Sequence, residues 1–363
     1  MNLRIYLKLI SLIVALVIFV PPFSQGGQTC ATCGKGITSG KYIEIDGKYY
    51  HPNHFLCGRC KKSIGTGTYY KIEHKYICQT CFERYYQPSC GYCRRPIEGT
   101  YIDSDGKKYH KDCYQDHIAQ RCRICGKVLK GAYFKDYWGN NYCEHHRQEL
   151  NPCEYCGRLI TKRLTGSGQT YADGRNVCGY CLKSAVNSER VAWHYLRESL
   201  KVLNRLGIEI SEKNINLKLV DRNTLGRAMG NETGRHTGFV KYEGKGMFGK
   251  VISQKYDIFI LNGMPTMDYL TAISHELMHV WHYSQNILEN DPAWSEGSCN
   301  YAAFLVLNRY SDEQAAYIIA GMNNDPNPVY GEGFRRVKKL VEAKGISSWL
   351  ESVRKSNSFP LGY

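Results

Sequence analysis

Apolar and polar residues alternate along this chain in three different ways. Leu9 to Val20 is an apolar run of twelve residues interrupted only by Ser11. From there to about residue 187 no helical period is sustained. Short aromatic-rich stretches flank the turn pairs Asp46-Gly47, Asp105-Gly106 and Asp173-Gly174, which predict β-hairpins. From Ser188 onward helical spacing takes over. "SERVAWHYLRESLKVLNRL" (Ser188–Leu206) predicts an amphipathic helix closed by Gly207. "INLKLV" (Ile215–Val220), "TGFVKY" (Thr237–Tyr242) and "YDIFIL" (Tyr256–Leu261) predict strands, and Asn262-Gly263 with Pro265 ends the last of them. A helix is expected over Met267–Gln285. Asp291-Pro292 predicts the start of another, with Asp at the N-cap and Pro at N1.

Cysteine changes the reading of the middle region. Sixteen of the 17 cysteines lie between Cys30 and Cys181, and only Cys299 lies beyond. With histidines they form pairs separated by two residues, which group into five quartets. These are Cys30, Cys33, His51, His54; Cys57, Cys60, Cys78, Cys81; Cys90, Cys93, His110, Cys113; Cys122, Cys125, Cys143, His146; and Cys153, Cys156, Cys178, Cys181. One tight turn aims a pair at a metal and a second turn completes the tetrahedron, so each quartet predicts a saturated structural zinc. Disulfides are the competing reading for an exported chain, but they leave the in-register histidines unexplained. "YIEIDGKYYH" ending at His51 repeats as "YIDSDGKKYH" ending at His110, which marks two copies of one module. The first copy, C-x2-C-x17-H-x2-H-x2-C-x2-C-x17-C-x2-C, resembles the LIM domain, with His54 where cysteine is usual. In the second copy eight residues, "YQDHIAQR", separate Cys113 from Cys122 where that family has two. The last quartet is a single LIM-like ribbon.

Arg4 and Lys8 precede the apolar run, Pro21-Pro22 breaks it, and Ser24-Gln25-Gly26 follows as a small-x-small site. This pattern predicts a signal peptide over residues 1–26 and a secreted or periplasmic protein; the alternative is an uncleaved N-terminal anchor, the one route to a membrane. The formal charge of +15 first suggests nucleic acid. Thiolates coordinating zinc shrink that charge, and no long block of cations exists. The densest cluster, "FRRVKKL" (Phe334–Leu340), reads as a solvated helix face, so no nucleic-acid partner is expected.

The chemistry lies in "SHELMH". His275 and His279 are one helical turn apart and can share a metal. Glu276, about 100° round the helix, can reach water at that metal without crowding the ligands. Ile273, Leu277, Val280 and Trp281 give the helix its apolar anchor. A catalytic zinc needs a third protein ligand and an open fourth position. Glu296, in the first turns of the next helix, is the expected one. His282 is the rival, but it sits only three residues from His279 on the same helix and is read as a surface or supporting histidine. Zn²⁺ there would acidify water and polarise a carbonyl, with Glu276 moving the proton. Tyr330 and Arg335 are candidates for stabilising the oxyanion or for packing. Asn300 could orient a ligand or merely cap a contact, and Cys299 is read as a buried small residue.

"HELMH", "SEGSC", "ILNGMP" and "YGEGFRRVKKLVEAKG" together resemble the DA-one family, plant growth-regulating peptidases with LIM and LIM-like modules before a metallopeptidase domain. The plant members carry ubiquitin-interacting motifs ahead of the LIM domain, where this chain has its export-type segment. The resemblance implies an α+β chain, with an N-terminal array of LIM and zinc-ribbon modules followed by a gluzincin-like HExxH zinc peptidase domain. The expected order is a signal peptide at 1–26, a LIM domain at 28–84, a LIM-like domain at 88–149, a single zinc ribbon at 151–184 and the peptidase at 187–363. Joined to the export-type segment and the five quartets, it predicts an exported endopeptidase with one catalytic and about five structural zinc ions. Its partners would be a protein or peptide substrate and a protein bound by the array. The alternative is a zinc-ribbon binding scaffold whose peptidase-like domain is inactive.

Overall fold

Residues 27–38, 41–232, 234–247, 250–288 and 291–363 are described by a computed structural model. The expected signal peptide lies outside them. Among the described residues no helix is long and apolar enough to cross a membrane. The chain divides into two compact units, one ending at Gln120 and the other spanning Arg121–Tyr363. The division falls within the eight residues that set Cys113 apart from Cys122, where Tyr114–Ile118 form a short π-helical turn.

The cysteine spacing builds the same knuckle five times. The amide of each quartet's first cysteine donates to the carbonyl five residues on, and its own carbonyl accepts from the amide four residues on, as at Cys30, Cys57, Cys90, Cys122 and Cys153. The residue four positions on has positive φ each time: Gly34, Lys61, Arg94, Gly126 and Gly157. Glycine fits that conformation without strain, and the knuckle imposes it on Lys61 and Arg94 as well. The second pair of each quartet follows a short hairpin. Ile43–Ile45 pairs with Lys48–Tyr50 across Asp46-Gly47, and Ile102–Ser104 with Lys107–Tyr109 across Asp105-Gly106. Gly168–Thr170 pairs with Asn176–Cys178 around Asp173-Gly174. Tyr69–Ile72 and Lys75–Cys78 form a hairpin that turn chemistry does not announce, because Glu73 and His74, not glycines, take its positive-φ positions. The cores in the first unit are small, such as Ile43, Ile45, Tyr50, Phe55 and Tyr69.

The second unit holds a much larger core. Helix α1 (Glu189–Arg205) starts at Ser188, whose hydroxyl accepts from the Val191 amide, and buries Ala192, Leu196, Leu200 and Leu203. A three-stranded sheet follows: β1 (Ile215–Val220), then helix α2 (Arg222–Ala228), then β2 (Gly238–Met247) and β3 (Lys250–Leu261). β3 is central, parallel to β1 and antiparallel to β2. Both β2 and β3 extend well beyond the stretches expected from sequence. Helix α3 (Thr266–Ser284) buries Ile273, Leu277, Val280 and Trp281 almost completely. Helix α4 (Pro292–Leu307) starts as expected, with Asp291 accepting from the Trp294 amide at 3.0 Å. Helix α5 (Glu313–Asn324) was not read from the sequence. Helix α6 (Gly333–Lys355) bends at Gly345, where φ is +83°.

The cationic cluster in α6 is not the solvated face that its composition suggests. Arg335 donates to the carbonyls of Asn323 and Asp325, Arg336 to that of Tyr363, and Lys338 to the Asn323 side chain at 3.0 Å. Backbone carbonyls that end neighbouring segments need donors, and two of the four cations, Arg335 and Arg336, meet that need.

Candidate metal centres

All five quartets expected from the spacing converge, each with its ligand atoms within 4.8 Å of one another. Two ligands at tetrahedral corners around zinc should sit about 3.8 Å apart for sulfur and about 3.4 Å for nitrogen or oxygen. The observed Sγ–Sγ separations are 3.8 Å for Cys60–Cys78 and Cys125–Cys143, 3.7 Å for Cys153–Cys181 and 3.6 Å for Cys156–Cys178. Cys33 Sγ lies 3.6 Å from His51 Nδ1, and Cys93 Sγ 3.4 Å from His110 Nδ1. His146 Nε2 is buried without a hydrogen-bond partner. No cysteine is in a disulfide. The donor sets fit zinc, and with four protein ligands each they leave no position for substrate.

The histidines of α3 make a different centre. Their rings lie 5.0 Å apart between centroids on one face of the helix. Glu296, from the first turns of α4, meets both. Its Oε2 is 3.1 Å from His275 Nε2, and its Oε1 is 3.6 Å from His279 Nε2. These spacings also bracket the tetrahedral edge for nitrogen and oxygen, so the residues fit one ion held by three protein ligands. Burial disfavours the charge on Glu296, yet the two histidines hold it far below the usual carboxylate range. Burial would lower His275, but the Glu296 hydrogen bond and charge lift it to about 9. The three groups thus meet at the separations that a shared ion needs.

Neighbouring groups fix this geometry. His275 Nδ1 lies 3.0 Å from Asn300 Oδ1, one turn beyond Glu296. That contact places the proton on Nδ1 and leaves Nε2 free as a ligand. Asn300 in turn donates to the Tyr330 carbonyl at 3.2 Å. Gly297 lets α6 approach α4 directly after Glu296: a Cβ there would meet the Gly333 carbonyl carbon at 2.4 Å. Glu276 is 6% exposed, and burial raises its carboxyl above the ordinary range. Its carboxylate lies against the start of β2, where a Cβ on Gly238 would come within 2.6 Å of Oε1. That role for Gly238 was missed from the sequence, because it joins residues 38 positions apart.

The other candidates separate. His282 is buried, not a surface residue. Its Nε2 has no hydrogen-bond partner, its ring centroid is 6.1 Å from that of His279, and burial pushes it down to about 3. Cys299 is buried, which raises its thiol. Arg335 is spent on carbonyls. Tyr330 is partly exposed, and burial together with the charges of Glu296 and Glu276 pushes its phenol up to about 12.

Comparison with known proteins adds to this geometry. Residues 30–86 match the family model of the LIM domain. The LIM domain-containing protein HDR3 of Oryza sativa subsp. japonica is 24% identical over 93% of this chain and 75% of its own. Protein DA1 of Arabidopsis thaliana is 22% identical over 93% of this chain and 69% of its own. The chain is related to the DA1 family. Protein DA1-related 1 of Arabidopsis thaliana shows the same relation, 23% identical over 94% of this chain and 68% of its own length. The LIM match covers the first two quartets, and the alignment with the DA1 relatives spans nearly the whole chain. The N-terminal part is thus a zinc-binding array of the kind that serves protein interaction.

Proposed function

We propose that the chain is a zinc-dependent endopeptidase that acts on protein substrates outside the cytoplasm. The convergence of Glu296 on both His275 and His279, with Glu276 beside them, carries this reading. Together these residues are what a gluzincin-like centre needs. Bound by His275, His279 and Glu296, zinc would supply a Lewis acid for the scissile carbonyl and make water a better nucleophile.

The chain's own residues do the rest. Asn300 holds the His275 ring and its tautomer. Glu276 accepts a proton from the attacking water and returns it to the leaving amine. Gly238 keeps strand backbone against that carboxylate, so it has little room to swing away. Tyr330 stays protonated at neutral pH, and its hydroxyl is the candidate donor to the developing oxyanion. The ribbon array binds a protein partner or the substrate itself. Export rests on the N-terminal sequence pattern alone.

The test is digestion of an unfolded protein mixture by the zinc-loaded chain and by Glu276→Gln. The reading expects peptide products from the first and retained, uncut proteins on the second. Equal absence of products from both would leave the array as a binding scaffold and end the peptidase reading.

A further inference from the structure

The ribbon Cys153–Cys181 differs from a detachable binding module. All four of its cysteines are buried, and they share one apolar core with α3. At its tip Arg175 is wholly buried, and every N–H of its guanidinium has a partner. Nε donates to the Asp173 carboxylate at 3.0 Å, and Nη2 lies 2.9 Å from the same group. Nη1 donates to the Tyr155 hydroxyl at 2.9 Å and to the Asn262 carbonyl at 2.7 Å. Nη2 also donates to Asn262 Oδ1 at 2.9 Å.

Asn262-Gly263 is the turn from which the chain leaves β3 to enter α3 at Thr266. The ribbon grips this turn at every step. Tyr171 covers Gly263 so closely that a Cβ there would meet its hydroxyl at 2.2 Å. The Gly263 amide donates to the Val186 carbonyl at 2.9 Å, and Ala185–Val186 pairs with Met264–Pro265. The Thr266 hydroxyl donates to the Ser184 carbonyl at 3.0 Å. On the far side, Gln314 bridges the Tyr155 carbonyl and the Asp268 carboxylate in the first turn of α3. Asp173 also accepts the Arg222 amide at 3.0 Å, where α2 begins.

We propose that Arg175 is a positioning residue for the metal-binding helix. It joins the Cys153–Cys181 ribbon to the Asn262-Gly263 turn and so fixes where α3 begins, and with it how His275, Glu276 and His279 face Glu296. Calling the outcome catalytic rests on the peptidase reading; the placement of α3 does not. The ribbon is then part of the catalytic unit, and a chain begun at residue 187 would lack one wall of its active helix.

The experiment uses the full zinc-loaded chain with Arg175→Lys, which keeps a cation beside Asp173 but cannot span to Asn262, and with Asn262→Ala, which removes only the side-chain arm. Hydrogen exchange over residues 264–284, zinc content and steady-state rates are read together. The expected result is faster exchange at the start of α3, retained structural zinc, and kcat lower by about 100-fold with KM little changed for Arg175→Lys, as a small misplacement of reacting groups produces. Asn262→Ala should show the same pattern more weakly. Unchanged exchange in α3, or an even loss of protection across 121–363 with kcat per folded molecule preserved, overturns the inference. If the unaltered chain cleaves nothing, the peptidase reading fails, and exchange in α3 alone still decides this one.

Discussion

The quartet at Cys57 sits where two turns meet and the centre at His275 where two helices meet, and they suit opposite tasks. In the first, two cysteine pairs supply four thiolates, with Cys60 exposed and Cys57 and Cys81 buried. The Cys60–Cys78 separation of 3.8 Å matches a tetrahedral edge, and all four sulfurs lie within 4.8 Å of one another. In the second, a helix supplies two imidazoles and the next helix one carboxylate. A closed shell gives a small ribbon the cross-link that its few apolar residues cannot provide. A shell one ligand short leaves a coordination position for chemistry, and it needs a large rigid core to hold three ligands in place. Glu276 shows the same contrast. A base beside a saturated quartet would have nothing to act on, whereas beside the proposed three-ligand centre Glu276 would have a water to deprotonate.

The largest effect should come from Glu296→Ala. It should remove about one zinc of six while leaving the five quartets loaded, and abolish turnover. Metal analysis checks it. If His282→Ala loses that zinc and Glu296→Ala does not, the third ligand is misassigned. Next, Glu276→Gln should keep the full zinc complement and lower kcat by about 1000-fold, the share expected of a general base. Asn300→Ala should cost about 10- to 100-fold in affinity of the one labile zinc, read by competition with a chelator. Gly238→Ala should lower turnover about 10-fold without changing zinc content, since its methyl must displace the Glu276 carboxylate or the strand. Smallest of all, Cys60→Ser in the first unit should leave cleavage of a short unstructured peptide within about 2-fold while weakening one structural zinc.

The parts of the molecule that sequence disclosed are those written in local spacing. Two residues between the first two cysteines of a quartet make a knuckle each time, and histidines four positions apart share one helical face. The start of α4 was equally plain, because Asp291 and Pro292 act on their own turn. What stayed hidden depends on partners far away or on strain that the fold imposes. Glu73 and His74 take positive φ because the ribbon requires a turn there, although that conformation is uncommon outside glycine. The outer part of the β2–β3 hairpin carries glycines and lysines that read as loop. Arg175 looks like one cation among many until Asn262, 87 positions on, is brought beside it. The α6 arginines read as solvated because the carbonyls that they serve lie in other segments.

The account stands on one comparison, five closed centres against one open centre, and a chelator titration measures it directly. Zinc per chain, turnover of an unfolded substrate and far-ultraviolet circular dichroism are followed as a mild chelator is added to the intact chain. The open centre, with an exchangeable position and only one charged protein ligand, should empty first. Turnover should therefore vanish as zinc falls from about six to about five per chain, with the circular dichroism unchanged, and return when zinc is restored. A starting content near one zinc per chain, or turnover that persists until several ions have gone and the fold has melted, would contradict it.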